Sequence, residues 1–216
     1  MEKSETGAGR LIAAMHQTCS HDLPNQVVAL HSLINLLEMD ESENLDATGR
    51  DYLARLKHVA EKMGSLADFL KELARLPSAA VVRERIDLGQ LVRELAAEAR
   101  VSGIAIPWET RLRCDAIVSD RRCVHQSLSD LTRLLAGFQP AKGAVFAFNS
   151  IAVPAGIRVE IALRGPSAGA TRQAIEKKLD YLLARERLAA VNVELHISAE
   201  GNESIMFGLV FPASGS

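Results

Sequence analysis

Two long segments with helical hydrophobic periodicity constrain the fold of this chain more than any other feature of its sequence. In the first, residues 9–39, apolar side chains recur at helical spacing: Ile12, Met15, Cys19, Leu23, Val27, Leu30, Leu33, Ile34 and Leu37. In the second, from residue 45 or 46 to residue 76, they alternate in steps of three and four: Leu53, Leu56, Ala60, Met63, Ala67 and Leu70. Stripes of this kind pack against another helix. With the polar residues 40–44 as a turn and Pro77 as a stop, we predict a helical hairpin over residues 1–77.

The hairpin is expected to pair with a second copy. Two helices of about 30 residues each leave part of their apolar stripes exposed when they pack only on one another. A second hairpin removes the remaining apolar surface from water by forming a four-helix bundle. The sequence therefore predicts a homodimer.

Residues 84–216 carry shorter segments of both helical and strand character. The predicted helices are 86–100, 120–138 and 171–189, and the predicted strands are 103–109, 145–148, 157–163, 191–198 and 204–211. Turn residues separate the strands, for example the Pro-Ala-Gly run at 154–156. Helices combined with mostly antiparallel strands are typical of a two-layer α/β sandwich. The chain as a whole is therefore expected to be α+β.

Charge and composition exclude several classes of protein. The formal net charge of −2 over 216 residues leaves no basic footprint for nucleic acid. No apolar run reaches the roughly 20 residues of a membrane span, and residues 1–9 lack the apolar core of a signal peptide. The cysteines Cys19, Cys114 and Cys123 show neither C-x-x-C nor zinc-site spacing. We therefore expect a cytoplasmic protein without a metal site that binds neither nucleic acid nor membrane.

One histidine falls on the outer face of the first helix. His21 lies roughly 180° from the centre of the apolar stripe, beside Gln17, Pro24, Asn25 and Val28. A helix presents this face to water or to a partner. Neutral imidazole is well populated near neutral pH, because the unperturbed pKa of histidine is about 6.5. His21 is therefore a candidate nucleophile.

These motifs resemble those of sensor histidine kinases. The run Cys-Ser-His-Asp-Leu at 19–23, with Ala-Asp-Phe-Leu-Lys-Glu-Leu at 67–73 on the partner helix, is similar to their dimerisation and histidine-phosphotransfer domain. That domain carries a phosphorylated histidine followed by an acidic residue. The run Ile-Asp-Leu-Gly-Gln-Leu-Val at 86–92 resembles the opening of their ATP-binding domain. The resemblance implies a hairpin over 1–77 and a Bergerat-like α/β sandwich over 84–216.

The second domain departs from the kinases where they bind nucleotide. An asparagine that holds magnesium in the family is matched by Leu134, and an aspartate that binds adenine is matched by Leu163. Leucine neither coordinates a cation nor accepts a hydrogen bond. The glycine-rich box before the last helix has no counterpart in residues 181–190. The chain therefore resembles the bipartite histidine phosphotransferases of the ChpT type, and we expect it to bind no ATP and to need no cofactor.

This resemblance implies a role for each residue of the His21 face. His21 takes a phosphoryl group from the aspartate of a response-regulator receiver domain and passes it to another receiver, which supplies the Mg²⁺ and a lysine. Asp22 orients the imidazole or accepts its proton, and Asn25 corresponds to the position that aims a water in kinases that are also phosphatases. Gln17, Pro24 and Val28 are expected to contact the docked partner.

Two other functions remain open from the sequence. The first is a non-catalytic dimeric scaffold or inhibitor that binds receivers or a kinase. The second is an active ATP-dependent histidine kinase with an unusual nucleotide site. Stabilisation by nucleotide would favour the kinase, because a ligand that binds the native state raises its stability.

Overall fold

The structure is a computed structural model that describes residues 18, 22–41, 44–75, 80–138, 143–165, 171–200 and 204–213. By its internal contacts the chain divides into two units, Met1–Ser78 and Ala79–Ser216. No helix within the described ranges is both long and apolar enough to span a membrane.

The first unit is an antiparallel pair of helices, α1 (Leu23–Glu41) and α2 (Ala47–Arg75). The helices meet through buried side chains at helical spacing: Val27 and Ile34 on α1, and Leu53, Ala60 and Ala67 on α2. The small residues of α2 allow close packing, since a Cβ added at Gly64 would lie 3.5 Å from Val27 Cγ1. Lys57 Nζ donates to Glu38 Oε2 across the pair at 2.9 Å. The predicted hairpin is confirmed over these residues.

The second unit contains four helices and seven strands in its described part. In chain order they are β1 (Arg83–Asp87), α3 (Leu88–Val101), β2 (Trp108–Leu112), β3 (Ala116–Asp120), α4 (Arg121–Ala136), β4 (Val145–Val153), β5 (Gly156–Arg164), α5 (Arg172–Glu176), α6 (Leu179–Ala189), β6 (Glu194–Glu200) and β7 (Ser204–Pro212). Asp87 caps α3 by accepting the Gln90 N–H, and Asp120 caps α4 by accepting the Cys123 N–H.

Five of the strands form one mixed sheet in the order β2-β4-β5-β7-β6. Strands β4, β5, β7 and β6 pair antiparallel, and β2 runs parallel to β4. The helices bury one face of this sheet around Phe146, Phe148 and Phe207. The expected α+β class, a hairpin followed by a two-layer α/β unit, is confirmed.

The structure also contains a two-stranded antiparallel ribbon of β1 and β3 that the sequence patterns did not predict. Four of the five β1 residues are charged and exposed, namely Arg83, Glu84, Arg85 and Asp87, so β1 lacks the apolar alternation of a typical strand. The strand predicted at 103–109 begins later, at Trp108 of β2, and residues 104–107 belong to no helix or strand.

The helix predicted over 171–189 is broken between Glu176 and Leu179. Ile175 and Tyr181 are both buried, yet on one continuous helix their side chains would point about 120° apart. The break at Lys177 and Lys178 lets both side chains reach the core. Burial therefore overrides the good helix propensity of lysine.

Candidate functional site

The face of α1 proposed for phosphotransfer is solvent-exposed over its described residues. Asp22 and Asn25 are exposed, and Pro24 in the first turn is half-buried. Val28 is 64% exposed, on the side of α1 away from the buried Val27. His21 and Gln17 lie outside the described residues.

The charge around this face is acidic. Residues 11–49 contain six Asp and Glu and no Lys or Arg. A phosphoryl group bound at this face would therefore meet no cationic side chain from α1 itself. Any positive charge that neutralises it comes from another element or from the partner.

The two leucines that the sequence comparison with kinases matches to nucleotide-binding residues are part of the hydrophobic core of the second unit. Leu134 on α4 is 6% exposed and Leu163 on β5 is 1% exposed. Both belong to the same cluster as Ala184 and Leu188 of α6. These two positions supply neither an oxygen ligand for magnesium nor an acceptor for adenine, so they do not fit a bound nucleotide–metal complex.

An ion pair joins α4 to α6 beside these leucines. Arg187 Nη1 lies 2.8 Å from Asp130 Oδ2, and the two side chains are 5% and 11% exposed. Asp130 also accepts from Arg133 one turn further along α4. Burial, followed by the charge of Asp130, raises the pKa of Asp180 at the start of α6. Sequence analysis missed this group, because Asp130 and Arg187 are 57 residues apart and neither belongs to a local motif.

Two cavities lie in the described part of the second unit. One, of about 370 Å³, is lined by residues of α3 and α4 that include Leu95, Ala99 and Thr132. The other, of about 220 Å³, lies on the sheet face around Ala162 and Met206. Within the described ranges, no three His, Cys, Asp or Glu side chains are placed to hold a metal ion.

Comparison with known proteins finds relatives by structure alone. No family model matches the chain, and no curated protein matches its sequence. The histidine kinase AdeS of Acinetobacter baumannii superposes with a TM-score of 0.65 at 18% identity, covering 91% of this chain and 99% of that chain. Full-length ShkA in complex with AMPPNP superposes with a TM-score of 0.62 at 17% identity, covering 94% of this chain and 47% of that chain. The chain therefore has the fold of a histidine kinase core, a helical hairpin followed by an α/β domain.

Proposed function

We propose that this protein is a histidine phosphotransferase of a two-component phosphorelay that works without ATP. His21 is the phosphoacceptor, and receiver domains of response regulators are the donors and acceptors. The observation that carries the proposal is the placement of Leu134 and Leu163 in the hydrophobic core of a kinase-like fold. The helical hairpin is retained, while the positions that would hold nucleotide have no polar group.

The proposed chemistry transfers the phosphoryl group between a carboxylate and an imidazole. A ring nitrogen of His21 attacks the phosphorus of an aspartyl phosphate in line with the bond to the aspartate oxygen. The P–N bond forms as the P–O bond breaks, and the free carboxylate leaves. Asp22 accepts the proton that the imidazole gives up, and the reverse sequence delivers the phosphoryl group to a second receiver. Positioning and charge neutralisation supply most of the catalysis in such transfers.

The exposed apolar residues of the hairpin support a dimer as the working form. On α2 they are spaced along one face: Tyr52, Leu56, Val59, Met63, Leu66 and Leu73. Leu33 and Leu37 of α1 fall on the same side of the hairpin by helical geometry. Val28 falls on the opposite side. A second copy that covers the α2 face leaves the Val28 face free for a receiver.

The test is phosphoryl transfer from a panel of ³²P-phosphorylated receiver domains to the full-length protein. Matched samples carry His21→Ala, or His31→Ala on α1 as a control, and one arm supplies only ATP and Mg²⁺. We expect label on the wild type and on His31→Ala, from receivers alone, and none on His21→Ala.

Three results would contradict the proposal. Label acquired from ATP would indicate an active kinase. Label retained on His21→Ala would move the phosphoacceptor to another residue. Receiver binding without any label would favour the scaffold.

A further inference from the structure

The larger cavity of the second unit, which we call the α3–α4 cavity, has an apolar floor. It encloses about 370 Å³, which lies within the range of about 300–1,000 Å³ that small-molecule sites occupy. Leu95 and Ala99 of α3 line it and are 1% and 4% exposed, and Ile104 adds an apolar wall beyond the end of α3. The floor therefore favours a ligand with a large apolar group.

Two side chains of opposite charge line the same cavity. Glu98 belongs to α3 and Arg133 to α4, and the other lining residues are uncharged. Ser129 Oγ on α4 donates to Glu98 Oε2 at 3.1 Å. Arg133 follows Ser129 by one helical turn, which places the Cβ atoms of these two residues about 5–6 Å apart. The lining therefore presents a carboxylate and a guanidinium close together, with no net charge, beside an apolar surface.

The neighbours of these two charged groups leave part of their hydrogen-bonding capacity unused. His125 Nε2 lies 3.4 Å from Glu98 Oε1, and it compensates that carboxylate only when the imidazole is protonated. Arg133 pairs with Asp130, whose second oxygen pairs with the buried Arg187. A carboxylate has about four lone-pair sites and a guanidinium has five N–H donors. Because the side chains of Glu98 and Arg133 are 48% and 58% exposed, both have polar atoms left for a ligand.

We propose that the α3–α4 cavity binds an α-amino acid with a large apolar side chain. The ammonium group of the ligand donates to Glu98, its carboxylate accepts from Arg133, and its side chain packs on Leu95 and Ala99. A zwitterion suits this lining because each of its charges meets an opposite charge, whereas a ligand of one sign leaves a like charge beside it. The site lies within the second unit, so this inference is independent of phosphotransfer through His21.

The experiment titrates the full-length protein with L-phenylalanine and, separately, with L-leucine. Binding is observed through the NMR signals of labelled methyl groups. The methyl groups of Ala99 and Ile104 report the α3–α4 cavity, and those of Ala162 and Met206 report the smaller cavity as an internal control. Three analogues each lack one recognised group: phenethylamine lacks the carboxylate, phenylpropionate lacks the ammonium group, and L-alanine lacks the large apolar side chain.

Variants of the lining test where the ligand binds. Ala97→Trp fills the cavity from its exposed rim, and Ala189→Trp at the exposed end of α6 is the matched control. Glu98→Gln and Arg133→Gln each remove one charge. Arg93→Gln, exposed on α3 and outside the lining, is the control for a lost charge. Thermal unfolding verifies that each variant is folded.

We expect at least one of the two amino acids to shift the Ala99 and Ile104 signals saturably, with a dissociation constant of about 1 mM or lower. Each analogue should bind at least about tenfold more weakly than that amino acid. Ala97→Trp should abolish the shifts. Glu98→Gln and Arg133→Gln should each raise the dissociation constant about tenfold, because each removes a charge-assisted hydrogen bond. Both control variants should bind like the wild type.

Other outcomes would overturn the site or its ligand class. The absence of saturable shifts with both amino acids would overturn the site. Phenethylamine or phenylpropionate that binds as tightly as the amino acid would overturn recognition of a zwitterion. Shifts that persist in Ala97→Trp, or that occur only at Ala162 and Met206, would place the bound molecule outside the α3–α4 cavity and so contradict the proposal.

Discussion

Arg187 and Asp130 form the ion pair that joins α6 to α4, with 2.8 Å between Nη1 and Oδ2. Both side chains are almost fully buried, and Arg187→Met leaves the Asp130 carboxylate with the more exposed Arg133 as its cationic partner. We expect Arg187→Met to lower the free energy of unfolding by about 1.5–3 kcal/mol, the cost of losing a hydrogen bond to a charged group. Urea denaturation of the full chain measures this change.

A double-mutant cycle tests whether the loss belongs to this pair. The double variant Asp130→Leu/Arg187→Met removes both charges, and it should be more stable than Arg187→Met alone. The exposed Arg185 on the same helix is the control, and Arg185→Met should change stability by less than about 1 kcal/mol. If Arg185→Met and Arg187→Met lower the free energy of unfolding by the same amount, the burial of the Asp130–Arg187 pair is not what makes Arg187 important for stability.

The apolar face of α2 gives a test of the dimer. Leu56→Glu places an unpaired carboxylate at the centre of the proposed interface, so we expect the dissociation constant of the dimer to rise at least about 100-fold. Val28→Glu places the same charge on the opposite side of the hairpin and should leave the dimer intact. Light scattering after size exclusion reports the mass of each variant. If Val28→Glu is monomeric while Leu56→Glu stays dimeric, the dimer interface lies on the Val28 side of the hairpin and not on the apolar face of α2.

The N-cap of α4 predicts a pH dependence of stability. Burial raises the pKa of Asp120, but hydrogen bonds from the N–H groups of Val82 and Cys123 outweigh it and hold that pKa below its usual value. The stabilisation is therefore present above the unfolded pKa of about 4 and is lost as the pH falls through the folded pKa. We expect Asp120→Ala to cost about 1–2 kcal/mol at pH 7.

Comparing wild type with Asp120→Ala at low pH as well as at pH 7 tests the contribution of the ionised Asp120 carboxylate. Unfolding of wild type and Asp120→Ala is measured in urea at pH 7 and again near pH 3. The difference between them should shrink at the lower pH, where protonation weakens the acceptor in the wild type. If the difference in free energy of unfolding is the same at pH 7 and near pH 3, the effect of Asp120→Ala comes from packing and not from the charge of the carboxylate.

Gly156 at the β4–β5 turn is a position that no other residue fits. Its φ is +138°, and an added Cβ would collide with the carbonyl oxygen of Phe211 on the neighbouring strand. We expect Gly156→Ala to cost more than about 2 kcal/mol. Gly103 has a φ of +78° but open space around its Cα, so Gly103→Ala should cost only about 1 kcal/mol. Thermal unfolding measures the stability of the two variants. Gly103→Ala reports the cost of a positive φ alone, and Gly156→Ala reports that cost together with the steric collision.

Nucleotide binding is tested by thermal stability. A ligand at 100 times its dissociation constant stabilises the native state by about 2.7 kcal/mol. We expect no shift in melting temperature with AMPPNP and Mg²⁺, because Leu134 and Leu163 offer no polar contact. A dose-dependent upward shift would support the kinase alternative.

The sequence predicted the parts of this fold that follow from periodicity. The stripe through Val27 and Ile34 and the seam through Leu53 and Ala60 were sufficient to predict the hairpin, because each buried residue recurs at helical spacing. The ribbon was missed because β1 is charged and exposed, and its pairing with β3 joins residues 29 to 37 positions apart. The Asp130–Arg187 pair is equally non-local. The assignment of His21 stays a prediction, since it lies outside the described residues.

The burial of Leu134 has a consequence for how this domain can evolve. An asparagine at that position would place an amide among Leu131, Leu135 and the rest of the apolar cluster, where an unpaired polar group costs about 1–3 kcal/mol. A chain of ordinary stability tolerates few losses of that size. An oxygen ligand for magnesium at this position would therefore require the surrounding core to change first. The packing around Leu134 disfavours such a ligand as the outcome of a single substitution.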